Sequence, residues 1–396
     1  MNRILSRMGP AARHSIILVG VSGLFWFAWS FGCYQTVYLQ SVGFTASNLG
    51  VLNAISSAVI IAAVSFWGMV SDKIGSIRKV LILILVAGST LYALVPFLPA
   101  DKPYSVLLLT AFIPALNFFR GSVATFDENL VVRNCNELRL NFGVLRGLGS
   151  LLFTIGSLWI AAILPSVQVR NTFWISGLLM IPAVFCIFIA REPNAKPARS
   201  KSSKGGMNLS ELFKNKAYVS FLIFGFIFYV AASCEGNFIP YFMIEAGVPS
   251  EKYGILLALR AFMEIPFLLF MVRLRRKFPL RILVLGAPAL MAVECLGFGL
   301  FARSLPGMLI CCTFFGLGNG LFIGSYLNYL YELAPDNLKA SAQAFFASIS
   351  STAGIIGNLI GGVVFDAIGA SLFYIVVGCT YLLSALVFLL TNRSTN

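Results

Sequence analysis

Ionisable side chains are scarce in this sequence. Only 11% of its 396 residues are Asp, Glu, Lys or Arg, against about a quarter in a soluble chain of this length. That shortage excludes a soluble globular domain. Histidine occurs once, as His14 at the start of the first apolar run, so no histidine-built metal centre or nucleophile–base pair can be assembled. The cysteines (Cys33, Cys135, Cys186, Cys234, Cys295, Cys311, Cys312 and Cys379) form no C-x-x-C pair. Most fall inside apolar segments, where they read as small buried hydrophobes. The acids have no H-E-x-x-H-like or paired spacing, and no nucleotide-binding motif is present. The chain is therefore expected to be no enzyme and to need no metal or cofactor. The apolar runs do not alternate with polar residues, which excludes a transmembrane β-barrel. A cleavable leader is not expected, because the first apolar run far exceeds the roughly 7–15 residues of a signal core and lacks an A-x-A-like site.

What the chain has in abundance is apolar sequence: 58% hydrophobic residues and a mean hydropathy of +0.87. A span needs about 20 such residues. The runs predict twelve spans, near 15–42, 48–70, 80–98, 104–132, 141–165, 172–190, 217–246, 253–272, 282–302, 309–333, 340–368 and 371–390. Between the sixth and seventh, Arg191 to Lys216 is rich in Lys, Arg, Pro, Ser and Gly and reads as a flexible linker. The expected fold is all-α integral membrane, with twelve transmembrane helices in two pseudo-symmetric six-helix bundles. Residues 1–190 form the first bundle, 191–216 a basic cytoplasmic linker, and 217–396 the second.

The net charge of +14 invites a nucleic-acid reading, but its placement excludes one. Lys102, Arg170, Lys252 and Arg303 fall in one set of loops and Arg120 and Arg260 in spans; the remaining Lys and Arg fall in the alternate loops and adjoining span ends. This positive-inside pattern puts both termini in the cytoplasm. The expected surroundings are the lipid bilayer of the cell membrane and a small-molecule substrate, with the chain acting as a monomer.

The candidate charges within predicted spans are Arg120, Asp127 and Glu128 in the fourth, Arg146 in the fifth, Glu235 in the seventh, Arg260 and Glu264 in the eighth, and Glu294 in the ninth. A charge at such depth costs about 2.5–3.5 kcal/mol on insertion scales, so it faces a cavity or a partner. Asn117, Gly121, Ala124 and Glu128 share one helical stripe, small except at its polar ends, which reads as a cavity face. Arg120 and Asp127 share another face, about two turns apart. They are either a further polar contact or a helix–helix pair. Arg260 and Glu264 are i,i+4 and are expected to pair. Glu235 lies near an outer end, where solvent exposure is the plain alternative. A carboxylate and a forked guanidinium facing a cavity suit a polyhydroxylated or zwitterionic solute. A carboxyl group in low dielectric can also carry a proton at physiological pH. The proton-coupling candidates are Glu264, Arg260, Glu294, Asp127 and Glu235. Trp26 and Trp29 in the first span either line a path or anchor at the interface, anchoring being the plainer reading. Gly143-x-x-x-Gly147 and Gly149 predict close helix packing in the fifth.

Between the second and third spans stands Gly68-Met-Val-Ser-Asp72-Lys73-Ile-Gly75-Ser-Ile-Arg78-Lys79. There Gly68 is expected to permit close helix approach, Gly75 the turn, and Asp72 to accept from helix-end donors or an arginine. With twelve spans in two halves and a basic linker, this resembles the major facilitator superfamily, over essentially the whole chain. Gly68, Asp72, Lys73, Gly75, Arg78 and Lys79 then correspond to its gating motif, with one extra residue before Arg78. Within the superfamily the chain is similar to the lactose-permease-like branch of oligosaccharide:proton and phenylpropionate-type symporters. Glu128 and Arg146 have the spacing of that branch's sugar-binding carboxylate and arginine, and Phe142-Gly143-Val-Leu-Arg146-Gly-Leu-Gly149 matches its local pattern. The branch's aromatic platform falls on Phe153, and Glu264-Ile-Pro resembles the phenylpropionate side. The lactose-type proton relay has no counterpart, since Phe314–Gly320 holds Asn319 but no titratable group, and the ninth-span arginine is replaced by Glu294. The resemblance implies proton-coupled uptake of a small polar solute such as a sugar, bound by Glu128 and Arg146 with Phe153 beside them; Asn117, at the end of the stripe, and Arg120, which has no counterpart in the family, are further candidate contacts. Efflux of amphipathic compounds, which the 36 phenylalanines would suit, is the alternative.

Overall fold

The computed structural model describes residues 10–193, 210–335 and 338–391. Most of the linker and the extreme termini, on which some of the expectations above fall, lie outside the described residues. Among the described residues there is no strand. The first half contains α1 (Pro10–Gly32), α2 (Gln35–Ser41), α3 (Ala46–Ile74), α4 (Ile77–Leu94), α5 (Ser105–Leu138), α6 (Phe142–Ile163) and α7 (Asn171–Ile189). The second contains α8 (Ser210–Lys214), α9 (Lys216–Asn237), α10 (Ile239–Glu245), α11 (Tyr253–Lys277), α12 (Leu280–Leu300), α13 (Leu305–Leu333) and α14 (Lys339–Thr391). Large apolar side chains remain on the outside, among them Leu107, Leu178, Phe188 and Val272. So much exposed apolar surface fits hydrocarbon, not water.

Two expected boundaries move. The first span breaks after Gly32 and the seventh at Phe238, each continuing as a short helix. In the seventh the break precedes Pro240, which lacks an N–H to donate. The last two spans run as one assigned helix, α14, interrupted at Gly369, whose φ of +75° lies in the left-handed region. The Glu245 carboxylate accepts the N–H of Ala370 just beyond (3.0 Å). The fourth span is also longer than expected, with α5 continuing to Leu138.

The chain divides into two compact units: Met1–Tyr38 with Ala58–Lys201, and Leu39–Ser57 with Ser202–Asn396. The expected boundary lay wholly in the linker, whereas the stretch from Leu39 to Ser57 groups with the second unit. In the first unit α1 packs on α6 and α7, and α4 on α5 and α7. In the second, α9 and α12 both pack on α14, and α12 also on α13. The first and third spans of each half thus serve as the hubs of their unit.

The α3–α4 turn shows which residues of the loop motif act locally. Gly75 has φ +71° and ends α3 with its N–H on the Ser71 carbonyl (2.8 Å), a glycine C-cap. Ser76 caps α4, its Oγ accepting from the Lys79 N–H (3.1 Å). The acceptor expected at Asp72 is Glu192 instead. Its carboxylate takes the Ser76 hydroxyl (2.5 Å) and the Ile77 N–H (2.9 Å), and pairs with Arg78 Nε (3.6 Å). Arg78 also donates to the Ala190 carbonyl (2.8 Å). Asp72, Lys73 and Lys79 are exposed. Gly68 faces open space among the described residues, so it does not mediate a close approach here. Glu192→Ala in the full-length protein is expected to cost about 1–2 kcal/mol, as loss of a helix-capping acceptor does. Asp72→Ala should stay within about 0.5 kcal/mol, as an exposed substitution does. Thermal unfolding in detergent separates the two.

Candidate functional site

In the first unit, Asn141 starts α6 by accepting the Gly143 N–H on its side chain (2.9 Å). One turn later Arg146 meets Glu128 of α5, with Nε 3.4 Å from Oε1. Arg146 also donates to the Ser150 hydroxyl (3.0 Å), and its guanidinium lies over the Trp26 ring at 4.8 Å. Trp26 in turn meets Phe153 edge-on at 6.4 Å. The pair keeps access to the surroundings, for the Glu128 side chain is 44% exposed and that of Arg146 21%. An acceptor, a partly used fork of donors and two aromatic rings therefore converge. Trp26 was missed as a site residue because a tryptophan in a first span reads equally as an interfacial anchor. Its i,i+3 spacing to Trp29 was the available signal.

The small-residue stripe on α5 is not a cavity face along its length. A Cβ on Gly121 would collide with Ile60 of α3, so this glycine admits a neighbouring helix. Asn117, at the end of the stripe, is half-buried. Of the α6 glycines, Gly147 faces open space. Gly149, against Trp26, and Gly156, against the Phe27 carbonyl and Ser30, make the close approach to α1.

Arg120 and Asp127 do not pair with each other. The Arg120 guanidinium is sandwiched between the rings of Trp29 (4.1 Å) and Tyr92 (4.0 Å), where quadrupole faces replace a counter-ion. Gly32 and Gly88 leave the room it needs. Asp127 is 1% exposed. Neither of its oxygens has a hydrogen-bond partner among the described residues, although the Ser22 hydroxyl faces it and Glu128 and Arg146 are its charged neighbours.

In the second unit the charges also regroup. Arg260 does not pair with Glu264. It reaches across to α12, donating Nε to Glu294 Oε1 (3.0 Å) and Nη2 to Oε2 (2.7 Å). The same Nη2 contacts Glu235 of α9. Glu235 is 1% exposed and Glu294 0%, so the expected solvent exposure of Glu235 is overturned. The face of the guanidinium rests on Phe315 at 3.7 Å. Glu264 accepts from Asn319 Nδ2 at 2.6 Å. That side chain lies in the stretch of α13 that carries no titratable group. Helical spacing predicted the i,i+4 pair, but a fork aimed across the bundle gains two parallel bonds to one carboxylate.

Two further contacts of the second unit had no sequence signal. Asp366 of α14 accepts the N–H groups of Ala46 (3.2 Å) and Ser47 (2.8 Å) at the start of α3. The Tyr241 hydroxyl donates to the Phe44 carbonyl (2.8 Å). The phenylalanines are largely structural: Phe221, Phe224 and Phe228 are fully buried and pack against Phe346, Phe388 and Phe322. A groove of about 360 Å³ between α4 and α7, lined by Val86, Ser89, Thr90, Trp174 and Leu178 among others, contains no charged residue. Among the described residues no group of three or more His, Cys, Asp or Glu is placed to hold a metal ion.

Removing Arg260 strands two buried carboxylates. Arg260→Ala is expected to destabilise the protein by about 3–5 kcal/mol, seen as loss of the monodisperse peak in detergent size-exclusion. Glu264→Gln, which keeps an acceptor for Asn319, should leave that peak in place.

Residues 21–376 match the profile of the MFS_1 like family. A maltose permease of Geobacillus stearothermophilus is 24% identical, covering 98% of this chain and 96% of its own. A sucrose permease of Escherichia coli is 26% identical over 51% of this chain and 50% of its own. Among solved structures, the nucleoside transporter NupG superposes with a TM-score of 0.76 at 15% identity, covering 96% of this chain and all of that one.

Proposed function

The chain belongs to the MFS_1 like family and is a multi-pass membrane transporter of the major facilitator fold, and we propose that it takes up a small polar organic solute, a sugar or oligosaccharide, by proton-coupled symport across the cell membrane with both termini cytoplasmic. The observation that carries this reading is the Glu128–Arg146 pair on Trp26. It is a charge-complementary pair within the predicted spans of the first unit, it keeps partial exposure, and it is set on an aromatic face. A sugar's hydroxyls donate to a carboxylate and accept from a guanidinium, while its apolar ring face stacks on an aromatic side chain. Maltose and sucrose are the substrates named for two relatives, which supports the same class. The family's alternating access, in which two repeats rock about a midplane site, supplies the transport cycle. Efflux of amphipathic compounds is the second reading; part of the phenylalanine content that suits it, Phe221, Phe224 and Phe228 among them, is packed in the core of the second unit.

Maltose is the first probe. Glu128→Gln and Arg146→Ala in proteoliposomes should each reduce its binding at least tenfold, the loss expected when a charge-assisted hydrogen bond worth about 1.5–3 kcal/mol is removed. Trp26→Ala should weaken binding while the protein stays folded. Maltose, sucrose and nucleosides all binding equally well to Glu128→Gln as to the unsubstituted protein would refute the site. Accumulation that follows an imposed inward proton gradient, and not a sodium gradient, would establish the coupling.

A further inference from the structure

Charge counting in the second unit gives an odd result. Arg260 brings one positive charge to two carboxyl groups, those of Glu235 and Glu294, and all three side chains are buried. Arg260 is their cationic partner within 4 Å among the described residues. The other side chains facing the cluster carry no charge at neutral pH: Cys312 on α13, Cys295 on α12 itself, and Tyr374 and Tyr381 on α14. Tyr374 spends its hydroxyl on the Glu235 backbone carbonyl (3.0 Å). Other acids of the unit are engaged elsewhere, Glu264 with Asn319, Glu245 with Ala370, and Asp366 with Ala46 and Ser47. Arg303 donates to the Ser371 hydroxyl.

The two carboxyl groups are not equivalent. Glu294 takes both parallel bonds of the fork. Glu235 touches only the Nη2 already committed to Glu294, and its Oε1 closes no hydrogen bond of good geometry among the described residues. Two ionised carboxylates on one guanidinium would leave one uncompensated negative charge out of water, and a single bound proton removes it.

We infer that Glu235, Arg260 and Glu294 form a single-proton site, with Glu294 the fixed counter-ion of Arg260 and Glu235 the carboxyl that takes up and releases the proton coupled to transport. Its coupling role rests on the symport reading above; its protonation does not. Release of the proton leaves a second anion competing for Arg260. This changes the tie between α9 and the α11–α12 pair, and so gives the proton leverage on helix packing.

The test separates the two claims. In the purified full-length protein, infrared spectroscopy at neutral pH should show a protonated-carboxyl C=O band that Glu235→Gln removes. Glu294→Gln should remove it as well, because either substitution leaves one carboxylate for one guanidinium. Asp127→Asn reports separately on the other buried acid. A band unchanged in both Glu235→Gln and Glu294→Gln overturns the proton site. In proteoliposomes with maltose as probe, Glu235→Gln should retain equilibrium exchange and lose accumulation driven by a proton gradient. Undiminished gradient-driven accumulation in that variant overturns the coupling role. Absence of maltose transport by the unsubstituted protein would count against the proposed substrate and leave the infrared result standing. Glu235→Gln mimics the protonated side chain and should melt like the unsubstituted protein, while Glu294→Gln provides the independent variant.

Discussion

A guanidinium taken out of water keeps its charge, and each unit of this protein is arranged around how that charge is met. Three arginines show three solutions. Arg260 is met by carboxyl groups from two other helices. Arg120 is held between aromatic faces. Arg146 is half-compensated, with one carboxylate, one hydroxyl and one ring around it, and keeps exposure. The first two close their surroundings and fix helix positions. The third leaves donors unused, and this residual capacity is what the proposed binding role of Arg146 rests on.

The two halves share the packing role of their first and third spans without repeating their chemistry. The first unit keeps its acid and base where they can be reached, at Glu128 and Arg146. The second places them where they cannot, in the Glu235–Arg260–Glu294 cluster. Under the symport reading this is a division of labour: a solute needs access, while a proton needs only a low-dielectric carboxyl and a route to it. Asp127 is the exception in the first unit, a buried carboxyl beside the half-exposed pair with no hydrogen-bond partner of its own among the described residues.

Much of this was legible in the sequence. Continuous apolar runs and the placement of basic residues gave the spans, because hydrocarbon thickness and backbone satisfaction leave few options. Both the spacing and the local Gly143–Gly149 pattern pointed to Glu128 and Arg146, and the two side chains do meet. What failed was partner choice. Arg260 lies one helical turn from Glu264, yet its long side chain reaches two other helices, and no one-dimensional spacing encodes which helices lie within that reach. Glu192 was passed over for Asp72 for the same reason: the acid that holds the turn lies 116 residues away from Ser76. Gly68 and Gly147 read as packing glycines, whereas Gly121 and Gly156 pack closely, because a small residue permits contact only where a neighbour is aimed at it.

The Asp366 carboxylate has a consequence for how the chain is made. The N–H groups at the start of α3 find their acceptor 320 residues later in the sequence. While a ribosome is still producing the intervening spans, the second span enters the bilayer with only Thr45 Oγ1 on the Asn48 N–H as its local cap (3.2 Å), and the Ala46 and Ser47 donors must be met by water or headgroups. Closing so long a loop is entropically unfavourable for an unassembled chain and becomes cheap only once the intervening helices are packed. Residues 39–57 therefore acquire their final partners late in synthesis, which makes the beginning of the second span one of the last parts of the molecule to mature.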